Sequence, residues 1–304
     1  MAENRTQSRP LQVPRRSFAA SHAAVAQLLA LLDQIAEAGA GDAEIIHDAR
    51  VAGRRLQAAL VMLGPALLDG AAAAGEAVTQ AVRDLGKLRD GDVFEELLAG
   101  VVSSHASAVA HLRKKAAKQQ AKLGERAREA AQCALTAEMR CWLEYAFLPG
   151  ERGNVSERRL MAMRARARAT VSDLFACMGL VDRDSAPENL HACRLAAKRL
   201  RYTLELLERG DSADRALQEC RALQDALGVV NDRHVAGNRL EQRARHVAKA
   251  AKARKRALAA DMETLARHMH RVRDLRIARF FDDWPPERLR GLRVRAIAAI
   301  DGAF

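Results

Sequence analysis

Strand-forming sequence is what this chain lacks most. Runs of Val, Ile and Thr are rare, and Gly and Pro number only 18 and 7 among 304 residues. A β-sandwich or barrel, with its frequent turns, is thereby excluded. Aromatic residues make up 4%, which leaves few platforms for stacking single-stranded nucleic acid bases. The five cysteines, Cys133, Cys141, Cys177, Cys193 and Cys220, are odd in number and form no CxxC pair. Neither a disulfide framework nor a zinc site is expected from them. No P-loop, GxGxxG, GxSxG or RHG-type phosphatase motif occurs, so the common nucleotide and hydrolase chemistries have no carrier here. No apolar run approaches the ~18 residues that span a bilayer, and no membrane partner is expected.

What remains is a helix-forming, cationic sequence. Hydrophobic residues are 49%, with much Ala and Leu, and Ala, Leu, Arg and Glu are good helix formers. An all-α fold follows. The formal net charge is +12. Nine of the 50 basic residues are Lys, which leaves 41 Arg. GC-rich coding favours Arg over Lys without functional reason, but it does not create net charge. Arg stays ionised at any relevant pH and offers a planar fork of donors that fits phosphate oxygens. A polyanionic partner is expected. At the N-terminus, PRRSFAASHAAVAQLLALL carries a twin Arg before a semi-apolar stretch. His22, Gln27 and Asp33 interrupt it, so an export signal is not expected and a cytoplasmic location is. Residues 1–16 form the expected disordered basic tail.

Apolar periodicity predicts helices over about 18–38, 43–63 and 72–87, with a break at Gly91 and a short continuation to 98. A single long helix is predicted for 103–148, closed by Pro149-Gly150. Helices follow over 155–179, from Pro187 to 208, over 212–227, and from 230 through a basic run toward 280. A last helix comes after Trp284-Pro285-Pro286.

One pattern is written twice. HDARVAGRRLQAAL begins at His47, and HACRLAAKRLRYTL begins at His191, 144 residues later. Each places Arg three residues on, a basic residue at seven, Arg at eight and Leu at nine and thirteen. A second marker follows each copy: LGKLRDGDV at 85–93 and LGVVNDRHV at 227–235. The interval from His to the shared Asp is 43 residues (His47 to Asp90) and 41 residues (His191 to Asp232). Two ordered markers at nearly constant spacing predict two copies of one helical module, residues 17–150 and 151–304, packed about a pseudo-twofold axis.

On a helical projection each copy has an apolar ridge and, opposite it, a His–Arg–basic stripe. The simplest meaning of such a stripe is a solvated face. Solvated faces normally mix charge signs, however, and this one is almost wholly positive in both copies. His47-Asp48 resembles the HD dipeptide of metal phosphohydrolases, but Ala192 stands at the matching position, so the carboxylate is not part of what repeats. Asp90 and Asp232 are better suited to orienting Arg or His from behind. His268 and His270, two residues apart on a helix, point to different faces. No metal, cofactor or catalytic residue is expected. The basic runs 113–122 and 243–256 could grip phosphates without reading bases.

The pattern H-x-x-R-x-x-x-[RK]-R-L, followed by LG-x-x-[RN]-D, twice in a helical chain, resembles the CHAD family (conserved histidine α-helical domain). The resemblance spans roughly residues 18–300. It implies two four-helix bundles related by pseudo-twofold symmetry, with a basic cleft between them that binds inorganic polyphosphate, in some members at polyphosphate granules. It implies no catalysis. The residues it assigns to polyphosphate are His47, Arg50, Arg54, Arg55 and Arg89 in the first half. In the second they are His191, Arg194, Lys198, Arg199, Arg201 and Tyr202, with Asp90 and Asp232 as orienting groups. Gln57 and Ala58 replace the Arg201–Tyr202 pair in the first copy, and Asn231 replaces the Arg of the Arg–Asp pair in the second. Nonspecific binding of nucleic acid by the same Arg surface is the alternative. Crowded Arg should lower the His pKa and a bound polyanion should raise it, so binding is expected to tighten as pH falls through the His range.

Overall fold

The structure, a computed structural model, describes residues 15–38, 43–67, 69–99, 106–148, 156–207, 210–249 and 253–304; for 87–99, 116–124 and some helix ends it describes only the backbone. The helices are α1 (Arg15–Ala38), α2 (Ala43–Leu63), α3 (Ala71–Ala99), α4 (Ala106–Cys133), α5 (Ala137–Ala146), α6 (Glu157–Met178), α7 (Pro187–Leu206), α8 (Asp211–Ala248), α9 (Ala253–Asp283) and α10 (Pro286–Ala303), with a 3₁₀ turn at Gly64–Ala66. Among the described residues there is no strand. The fold is all-α, as expected. Residues 1–14 of the expected tail lie outside the described residues, and Arg15 and Arg16 already open α1.

Local chemistry accounts for several boundaries. The 3₁₀ turn with Pro65 ends α2. Pro187 sits in the first turn of α7, where its missing N–H costs nothing. Asp211 and Asp214 begin α8, and Arg245 and His246 end it. This arrangement complements the helix dipole at both ends. Four expectations differ from the structure. α3 continues through Gly91, and α8 continues through Gly228. The helix expected over 103–148 is instead two, because Leu135 is buried and Thr136 starts a new helix by accepting a hydrogen bond from the Met139 N–H at 3.2 Å. The basic run 243–256 carries α8 only as far as Ala248. α9 instead returns against α8, with His234 near Arg273 and Glu241 near His270.

α1 packs on α2 and α4, α2 on α3, α6 on α7, and α10 on α6 and α8. α2 also packs on α7, and one apolar core runs through residues of both halves of the chain. Leu28, Leu32, Ile35, Leu56, Leu63, Phe147, Met163 and Leu174 are fully buried in it, each stabilising the fold by roughly 1.5–3 kcal/mol. Over Arg16–Glu37, α1 is long and apolar enough to cross a membrane, against the expectation that no run would be. Its apolar stripe, Val25, Leu28, Leu29, Leu32 and Ile35, is buried in the core. The buried Ser17 hydroxyl donates to the Leu206 carbonyl at 2.6 Å, fixing α1 to the end of α7. A smaller, separate apolar cluster joins α4, α8 and α9.

Candidate anion-binding cleft

The apolar ridge of α7 (Cys193, Ala196, Ala197, Leu200, Leu204) and that of α2 (Ala49, Leu56, Leu60, Leu63) are buried. With α2 against α7 and α7 against α8, the opposite stripes open into one cleft of about 680 Å³. His47, Arg50 and Arg54 reach it from α2. His191, Arg194, Lys198, Arg201 and Tyr202 reach it from α7, and Asn231, Asp232 and Arg239 from α8. Six Arg and Lys side chains line it against two carboxylates, Asp225 and Asp232.

The two copies of the sequence pattern are placed alike. A Cβ on Gly86 would stand 3.6 Å from the Arg50 guanidinium, and one on Gly228 would stand 3.7 Å from Arg194 Nε. The glycine of each LG marker therefore lies under the arginine of the H-x-x-R stretch in its own half, and α3 or α8 supports that side chain from behind. Asp232 stands 3.8 Å from Arg194, consistent with an orienting role. The His191 Nδ1–H donates to Asn231 Oδ1 at 2.5 Å, and the Asn231 amide donates to Asp232 at 3.3 Å. With Nδ1 occupied, His191 can donate from Nε2 to an anion only when its ring is protonated.

Burial and charge crowding together register at Lys198. Burial, then Arg54, Arg194 and Arg50, against the opposing pull of Asp232, bring its pKa down to about 6. In the unliganded protein near neutrality this amine is largely uncharged. Tyr202 is buried beneath the Arg201 guanidinium, 4.3 Å from ring centroid to Cζ, and so it shapes the wall without offering a free face for stacking.

Two residues expected to bind phosphate lie elsewhere. Arg55 donates to Glu205 at 3.0 Å beside a separate cavity of about 250 Å³. Arg199 is exposed, 3.9 Å from Asp173 of α6. Arg89 and Asp90 fall where only the backbone is described. Sequence reasoning missed Asn231 as the partner of His191, and it missed Arg239. The latter was findable: it follows Asp232 by seven residues, two turns along one face of α8. Among the described residues His, Cys, Asp and Glu do not gather in threes as metal ligands would.

The protein-family model described as the CHAD domain matches residues 19–241, from α1 through both H-x-x-R stretches into α8. Among solved structures, the CHAD domain from the plant Ricinus communis superposes with a TM-score of 0.60 at 22% identity, covering 94% of this chain and 92% of its own. PptA from Streptomyces chartreusis superposes with a TM-score of 0.62 at 17% identity, covering 89% of this chain and 100% of its own. At these identities the likeness is one of fold. Among curated proteins no sequence match is found.

Proposed function

The chain belongs to the CHAD family, and from that premise we propose that it binds inorganic polyphosphate in the cleft between α2, α7 and α8 without cleaving it. The observation that carries this reading is the cleft itself, where Arg50, Arg54, Arg194, Lys198, Arg201 and Arg239 outnumber the carboxylates, and where burial, then repulsion from Arg54, Arg194 and Arg50, suppresses the charge on Lys198. A polyanion relieves that repulsion. Polyphosphate has no bases to read and needs only a rigid wall of donors, and helices supply one with little ordering entropy spent on binding. In this reading the two H-x-x-R stretches belong to two copies of one module, divided near residue 150, and each lines one side of the anion's path. Nucleic acid fits less well, because the cleft's aromatic residue, Tyr202, is covered by Arg201 and cannot stack bases. Asp232 is held near Arg194 and serves positioning rather than metal-assisted hydrolysis. The protein acts in the cytoplasm, at polyphosphate granules.

The test is a direct affinity measurement. Arg50→Gln with Arg194→Gln should weaken polyphosphate binding roughly hundredfold, the loss expected of two charge-assisted contacts. Helicity and melting should stay near wild type. An unchanged affinity sinks the proposal, as does displacement of polyphosphate by RNA at equal phosphate concentration. Chain-length analysis after incubation with Mg²⁺ should show no shortening, and shortening would make the protein an enzyme.

A further inference from the structure

Among the described residues, the two basic runs singled out in the sequence, 113–122 and 243–256, supply none to the lining of the cleft, yet the fold brings parts of both together. In the smaller apolar cluster, Ala108 and Leu112 of α4 pack with Ala244 and Val247 of α8 and Ala259 of α9. Lys115 stands one turn beyond Leu112, Arg243 adjoins Ala244, and Lys255 stands one turn before Ala259. Three helices thus deliver cations to the rim of one cluster. His111 lies among them. Burial, then Lys115, Arg243, Lys114 and Lys255, hold its pKa below the usual imidazole range. Lys115 is lowered in the same way, by burial and then by Arg243 and Lys255. Every charge named here is positive. Among the described residues, none of Lys114, Lys115, Arg243 and Lys255 forms an ion pair with a carboxylate, and none bonds to the shielded His111 Nε2.

The patch also lies in line with the cleft. Asp232, Val235, Ala236 and Arg239 of α8 line the cleft, and Arg243 is the next residue on that face. At about 1.5 Å of rise per residue, the step from Arg239 to Arg243 is about 6 Å along the axis. We propose that the cations of α4, α8 and α9 form a second polyanion-binding site, continuous with the cleft along α8, that holds the part of a long polyphosphate chain emerging from it. This inference rests on the polyphosphate reading of the cleft. Its consequence is selectivity for length: a short chain fills the cleft alone, whereas a long one engages both sites and gains the effective concentration of a tethered second contact.

Affinities of the full chain for tripolyphosphate and for long-chain polyphosphate, measured at several salt concentrations, test the inference. Lys115→Ala with Arg243→Ala should weaken long-chain binding about tenfold and reduce its salt slope by about two. Tripolyphosphate affinity should not move. Lys255→Ala, at an exposed position, should act in the same direction with a smaller loss, and it guards against a folding defect in the double variant. Long-chain affinity that survives both variants overturns the proposal, and so does an equal loss for both lengths. Loss of RNA binding with long-chain polyphosphate binding intact overturns it too, and assigns the patch to nucleic acid. If neither phosphate binds wild type, the cleft reading itself has failed.

Discussion

Lys198 is the residue on which the cleft's electrostatics turn. Its pKa near 6 means that, above that pH, the unliganded amine is mostly neutral. A bound polyanion favours the ammonium and raises the pKa, so the protein takes up a proton on binding. Affinity for polyphosphate should therefore rise as pH falls from about 8 toward 6, and level off below, where the free amine is already charged. Titration calorimetry in buffers of different ionisation enthalpy measures the proton directly. Lys198→Arg, charged throughout, should abolish the uptake, whereas His191→Gln should preserve most of it. The opposite result returns the pH response to the histidines, where sequence reasoning had placed it. The unliganded protein carries the matching sign: the depressed pKa makes its stability decline as pH falls from 10.5 toward 6. The stripe itself was legible, because recurrence every three or four residues on a helix puts His47, Arg50, Arg54, His191, Arg194, Lys198 and Tyr202 on one face, and all of them line the cleft. Arg55 and Arg199 lie one residue past the stripe's centre, and what captures them, Glu205 and Asp173, comes from other helices that periodicity cannot locate. Asp232 beside Arg194 also makes neutral Gln the sound test there, since a reversed charge would add repulsion between carboxylates to any loss of ligand.

Among the elements, the α8–α9 hairpin is the one the sequence hid. Nothing local distinguishes the end of α8 at Ala248 from an exposed, basic continuation of the helix, and the signal that breaks it is the apolar cluster α9 makes on returning. Gly91 and Gly228 misled in the other direction. A mid-helix glycine costs only about 1 kcal/mol, which packing on both sides of α8 outweighs. Gly237 shows what such a glycine is for. A Cβ there would fall 2.4 Å from His270 Cε1, well inside contact distance. The ring has little freedom to retreat, because its Nε2 meets Glu241 at 3.0 Å and its Nδ1 accepts from Arg273 at 3.0 Å. Gly237→Ala gains up to about 1 kcal/mol of helix propensity but forces α8 and α9 apart at a cost of roughly 1–3 kcal/mol. The variant should lose up to about 2 kcal/mol in urea denaturation. A more stable variant would mean that α9 slides freely on α8.

For the whole molecule, the question is what joins the two halves of the chain. Part of the answer is apolar, since one core runs through both. Another part is Glu205 of α7, which accepts from Arg55 of α2 at 3.0 Å and from Arg221 of α8 at 3.2 Å, and lies 3.6 Å from Arg201. One largely buried carboxylate, 11% exposed, thus balances three guanidinium groups on three helices. It is the counterweight that lets so cationic a protein close around its own cleft. Glu205→Gln keeps the shape and removes the charge, leaving the three Arg groups to repel one another. Arg55 and Arg221 are 39% and 50% exposed, so water screens much of the loss and the destabilisation should be about 2 kcal/mol, below the value for a fully buried pair. Because Glu205 borders the smaller cavity and not the cleft, polyphosphate affinity should hold or rise, since Arg201 gives up its carboxylate partner. Arg50→Gln with Arg194→Gln should behave in reverse, losing affinity at nearly constant stability. Denaturation and binding measured on both variants separate the charges that build the protein from those that serve its ligand. If Glu205→Gln weakens binding as much as it weakens the fold, that separation fails and the site extends across the α2–α7 contact.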